Sequence, residues 1–151
     1  MPTLSFRRAL SCFSLISLFA SAATAAGTTA LEIGSEKVEL EIASTAIEQR
    51  TGLMNRNYLA DNHGMLFVFS EPRSVAMWMK NTLIDLDAAF VDPCGRILNI
   101  ESMKKATLDL HRSRGQALFV IEMNSGWFDK HNVYPGHQIK ELFNPNFCKK
   151  P

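Results

Sequence analysis

The stretch Ala30 to Ala43, ALEIGSEKVELEIA, alternates apolar and polar residues with a period of two. Leu31, Ile33, Val38, Leu40 and Ile42 fall on one side, and Glu32, Lys37, Glu39 and Glu41 on the other. Only an extended chain sorts such a pattern onto two faces, so the spacing predicts two strands, each with one wet face. Gly34-Ser35 between them suits a two-residue turn with Gly in the first central position. A chain that opens its fold this way must bury the apolar face of a sheet against something else.

The remaining segments repeat the theme. Gly64 to Phe69, Ser74 to Met79, Leu83 to Val91, Arg96 to Ile100, Ala117 to Met123 and Gln138 to Leu142 read as further strands. Asp92-Pro93-Cys94-Gly95 has the residues a type I turn prefers, and Pro135-Gly136 marks another turn. Helical signals are brief. Thr45 followed by Glu48 forms a capping box for a short helix with Ile47 and Met54 on one side, and Ser125 is placed to cap a turn near Trp127 and Phe128. The expectation is a mainly β fold, a compact antiparallel β-barrel-like domain with one or two short helices.

Residues 1–25 carry Arg7 and Arg8, an apolar run from Ala9 to Ala23 and then small residues, the order of a signal peptide. The run is too short for a membrane span. Residues 26–151 are then expected as a single exported domain, periplasmic or extracellular, without stable membrane insertion, and monomeric. Loss of Arg7 and Arg8 leaves 14 basic residues of the original 16 against 15 acidic ones, a formal charge of −1. That balance supplies no concentrated basic surface, so no nucleic-acid partner is expected. Cys94 and Cys148 remain after processing, and an oxidising compartment favours a disulfide between them, with two free thiols as the alternative. No CxxC spacing or Cys/His cluster is present, and His63, His111, His131 and His137 lack a zinc spacing.

The chemistry-bearing stretch is Ser74 to Asp92, SVAMWMKNTLIDLDAAFVD. Trp78, Lys80, Asn81, Thr82 and Asp87, with Arg56, are the candidate ligand-binding residues: an aromatic wall, cations for an anionic group, and neutral hydrogen-bond partners. Asp87 shares its strand face with Ala89 and Val91, which implies cover over its carboxyl, so Lys80, Arg56 or backbone N–H groups must pair with it. In a catalytic version Asp87 is the general base, and Lys80 or Asn81 stabilises developing negative charge. Asn81 and Thr82 serve equally well to hold a turn. Met77 and Met79 offer thioethers to copper(I), although gap-filling in a core is the commoner use of methionine.

The segments TGLMNRNYLADNHGMLFVF, WMKNTLIDLDAAFVD, GRILNIE and GW together resemble domain of unknown function family 192, from about Val38 to Ile139. Gly52-Leu53-Met54, Gly64-Met65-Leu66-Phe67, Trp78 to Thr82, Leu86-Asp87 and Gly126-Trp127 fall on that family's pattern. Asp85 stands where the family often has proline, Met77 where it often has an aromatic residue, and His137 where it is often acidic. The resemblance implies a compact β domain and brings no established activity or cofactor. The reading reached from sequence is an exported module that binds a small ligand or a protein partner around Trp78 to Asp87. The alternatives are a hydrolase or lyase using Asp87 and Lys80, and a copper(I) protein.

Overall fold

A computed structural model describes residues 27–149, so the expected signal peptide lies outside the described residues. The predicted first hairpin forms from β1 (Thr28–Ile33) and β2 (Glu36–Ala43), and Gly34 alone of its two turn residues takes a left-handed φ. Helix α1 (Ala46–Thr51) comes next. Its capping box closes in both directions, Thr45 Oγ1 accepting from Glu48 N–H while the Glu48 carboxylate accepts from the N–H groups of Thr45 and Ser44. Those bonds hold the Glu48 carboxyl below its ordinary pKa. The helix buries no residue, and Ile47, expected on a packed side, is exposed. A single turn and a half stabilised by its cap does not need an apolar face.

The main sheet is completed by β3 (His63–Arg73), β5 (Leu86–Val91), β6 (Ile97–Met103) and β8 (Ala117–Asn124), in the order β1-β2-β3-β8-β5-β6. Strand β4 (Ala76–Met77) pairs with β7 (His111–Arg112) as a separate short ribbon. The mainly β, largely antiparallel expectation holds, and the topology departs from it at two points. Strand β2 pairs with β3 in parallel, because the chain crosses over through α1 before β3 begins. And the sheet is open: β1 and β6 are its edges, so it is not a closed barrel. The gap between these edges is spanned by the C-terminal segment, which forms a 3₁₀ turn (Lys140–Leu142) where a full strand was expected. The Glu141 carboxylate accepts from Glu32 N–H on β1, while Gly136 N–H donates to the Ile97 carbonyl and the Ile97 N–H to the His137 carbonyl on β6.

Both faces of the sheet are covered. One carries Leu31, Ile33, Leu40, Ala89, Val91 and Ile121, closed over by Trp127 and Phe128 of helix α2 (Trp127–Lys130) and by Ile139 and Leu142 of the C-terminal segment. The other carries Met65, Phe67, Ala88, Phe90 and Val120, closed over by Leu53, Leu59, Val75 and Met79. All six residues of β5 are therefore buried. At the crossing of β2, β3 and β8 there is no room for a side chain: a Cβ on Gly64 would lie 2.5 Å from Met123 Sδ and 2.9 Å from Leu40 Cδ2. Cys94 and Cys148 are joined by a disulfide with Cα atoms 4.8 Å apart, and Asn144 N–H donates to the Pro93 carbonyl beside it. No helix among the described residues is long and apolar enough to cross a membrane.

Candidate functional site

The loop between β4 and β5 does the positioning. Thr82 N–H donates to the Met79 carbonyl, closing a turn in which Asn81 adopts a left-handed φ of 57°, a conformation asparagine tolerates better than most residues. The Asn81 carbonyl accepts from Asn55 N–H, which fixes this turn against the chain leaving α1. Thr82 is turned inward and buried, while Trp78, Lys80 and Asn81 stay exposed. The Lys80 Nζ sits 5.4 Å from the Trp78 ring centroid, a cation–π distance.

These side chains border an open cleft of about 550 Å³, walled on its far side by Arg50 and Thr51 of α1 and by Met54. Beneath it, a cavity of about 20 Å³ shares Arg50, Thr51, Met54 and Trp78 with the cleft and reaches Thr82 and Glu122. Glu122 projects from the middle of β8 on the same face as Ala88 and Met65, its cross-strand neighbours. It is 4% exposed, and its carboxyl makes no hydrogen bond among the described residues. Burial alone raises its pKa from 4.5 to about 8.

The sequence candidates divide. Trp78, Lys80, Asn81 and Thr82 converge on the cleft and its inner cavity. Asp87 lies on the opposite face of the sheet, in register with Met123. Its Oδ2 accepts from Gly126 N–H at 2.7 Å and its Oδ1 from Ser125 Oγ at 3.3 Å, so it fastens the corner where β8 enters α2, and Ser125 bonds to it instead of capping that helix. Arg56 makes a paired bond to Glu41, at 2.5 and 2.6 Å, tying the loop after α1 to β2. Asp85 accepts from Lys105 N–H and Lys104 Nζ, which holds its carboxyl below the ordinary range. Met77 and Met79 both pack with the second core layer. Among the described residues no group of three His, Cys, Asp or Glu side chains could hold a metal ion.

Asp87→Ala is expected to cost about 2 kcal/mol, since it strips a charged acceptor from the buried Gly126 N–H. Urea denaturation measures this, and an unchanged midpoint would mean that the corner does not depend on the carboxylate.

Sequence reading missed two residues that the cleft uses. Arg50 looks like any helix-terminal cation. Glu122 had a signal: it is the only charged residue in the apolar run Ala117 to Met123, and a lone charge inside a buried strand calls for an explanation.

The model of one protein family, DUF192, described as "Uncharacterized ACR", matches residues 29–141. The chain belongs to the DUF192 family. Two solved structures resemble it. One, from Sinorhizobium meliloti 1021, is named as a proposed transcription regulator; it is 35% identical, with a TM-score of 0.68 over 72% of this chain and 88% of that one. The other, a protein of unknown function from Novosphingobium aromaticivorans DSM 12444, is 31% identical, with a TM-score of 0.68 over 74% of this chain and 82% of that one. No curated protein matches the chain. The cleft residues Arg50, Thr51, Met54, Trp78, Lys80 and Asn81 all lie inside the matched span.

Proposed function

We propose that this DUF192 chain is an exported binding module that holds a small anionic molecule in the cleft over Trp78. The observation that carries the reading is an aromatic ring, 41% exposed, with a lysine ammonium poised over its face at the mouth of a concave site. Its volume of about 550 Å³ lies within the ~300–1,000 Å³ usual for small-molecule sites. Arg50 on one wall and Lys80 on the other give the cleft two cations and no exposed acid. An anion entering between them gains from both charges, while a ring or alkyl face covers the indole. The leader-like residues 1–25 and the disulfide support export.

Catalysis by Asp87 and Lys80 gains no support from this geometry, because the carboxylate serves a corner on the other side of the sheet. Nor is the Sinorhizobium protein's name carried over. The longest helix among the described residues spans six positions, short for reading a DNA groove, and 16 basic residues stand against 15 acidic ones.

Lys80→Ala and Trp78→Ala are each expected to weaken binding of a monoanionic organic acid about tenfold or more, the scale of one lost charged or stacking contact. Calorimetric titration with a panel of small carboxylates is the check. If no acid binds, or if both variants bind as the unaltered chain does, the cleft is not an anion site.

A further inference from the structure

Glu122 is the group that a plain binding cleft does not explain. A carboxyl placed in mid-strand between two apolar neighbours, with no hydrogen-bond partner among the described residues, is a costly feature for a sheet to retain. It is not sealed in, either. No fully enclosed side-chain oxygen or nitrogen among the described residues lacks a partner, so the unpaired oxygens of Glu122 border the small cavity. Gly52 lies directly beside it: an added Cβ there would meet Glu122 Oε2 at 4.0 Å, van der Waals contact.

We infer that Glu122 and Thr82 form the inner, specificity-setting end of the cleft, taking one hydroxyl group of a sugar-acid ligand whose carboxylate lies between Arg50 and Lys80. This rests on the reading of the cleft as an anion site. The small size of the inner cavity carries the first part: about 20 Å³ admits a group the size of a water or a hydroxyl beside Glu122 and Thr82. The charge around it carries the second. Among residues lining that cavity, the titratable or charged ones are Glu122 and Arg50 alone; β3 contributes Phe67, and the β4 side contributes Met77, Trp78 and Thr82. Beside Glu122 on the same face, from the adjoining strands, stand Met65 and Ala88, and Lys80 lies one step out in the cleft. With a guanidinium at the threshold and an ammonium outside, a neutral hydroxyl is a better fit for the inner position than a second cation.

A protonated carboxyl can donate to that hydroxyl's oxygen and accept its proton at once, and the Thr82 side chain offers the same pair of roles. The face of a six-membered sugar ring then lies on Trp78, and the ring's carboxylate reaches the two cations. Ionising Glu122 removes its donor and sets a negative charge near an anionic ligand. Affinity therefore falls as the pH passes about 8, where the buried carboxyl gives up its proton.

The test compares D-galacturonate with cyclohexanecarboxylate, a ring of equal size and charge without hydroxyls, by calorimetry on the exported form of the chain. Galacturonate is expected to bind the more tightly. Glu122→Leu should weaken galacturonate at least tenfold and leave cyclohexanecarboxylate within threefold. Glu122→Gln, still a donor and an acceptor, should hold galacturonate within about threefold at pH 7 and remove the loss above pH 8. Thermal melts establish that both variants are folded. Equal binding of the two acids, or unchanged galacturonate binding by folded Glu122→Leu, would overturn the inference while leaving the cleft an anion site. Preference for a zwitterion such as serine over galacturonate would overturn it too, by placing an ammonium at the inner position. Binding of neither acid would remove the anion-site reading, and the inference with it.

Discussion

Raising the pH from 5 to 9 should destabilise this domain by about 4 kcal/mol through Glu122 alone, and Glu122→Gln should abolish that part of the loss. The folded chain keeps the Glu122 proton up to about pH 8, whereas the unfolded chain releases it above its ordinary value of 4.5. Between those values the folded state binds the extra proton, so stability is greatest at the acidic end and declines until the folded carboxyl also ionises. Above that point the contribution is flat. Melting temperature is the simplest readout: the unaltered chain and Glu122→Gln should nearly coincide at pH 5 and separate by about 10 °C at pH 9, with the glutamine variant the more stable. Parallel pH profiles for the two proteins would mean that the carboxyl is ionised and paired in the folded state. The other carboxyls with shifted values, Glu48 and Asp85, move downward and titrate below this window.

Reduction of the Cys94–Cys148 disulfide should cost about 4 kcal/mol, the chain entropy released when a loop of this length is opened. The loss has a structural address. Segment 136–142 closes the gap between the two edges of the sheet and contributes Ile139 and Leu142 to the core, and the cystine anchors the chain six residues beyond it. A Cys94→Ser/Cys148→Ser variant should show a lowered urea midpoint. It should also show faster hydrogen exchange at Ile139 N–H, which donates to the Gly95 carbonyl at 2.7 Å. An unchanged midpoint would mean that strap and core hold without the covalent link.

Much of this arrangement was legible because it is local. The alternation of Leu31 to Ile42 and the position of Gly34 give the first hairpin, Thr45 and Glu48 give the capping box, and Asp92 to Gly95 give the β5–β6 turn, with Gly95 N–H donating to the Asp92 carbonyl. The cover over Asp87 could also be read from Ala89 and Val91. Its partners could not, since Ser125 and Gly126 stand almost forty positions later and nothing in a two-residue period says which strand lies alongside. For the same reason the parallel β2–β3 pair and the open edges escaped: periodicity assigns faces, while neighbours are chosen by distant packing. The cleft was half visible. Trp78 to Thr82 marked one wall, but Arg50 and Glu122 join it only once α1 and β8 are brought to the same side of the sheet.

The order of strands also fixes how the chain must assemble in time. Its two hairpins, β1–β2 and β5–β6, close short loops and can form within microseconds of the chain becoming free. The middle of the sheet, where Gly64 meets Met123, waits on the closure of a far longer loop, and such non-local pairings place folding in the range of milliseconds to seconds. During that interval β3 and β8 stand unpaired, and β5, joined only to β6, leaves its other edge open. A chain delivered unfolded across a membrane would spend its most aggregation-prone moments there, and a holding chaperone would find its targets in β3, β5 and β8.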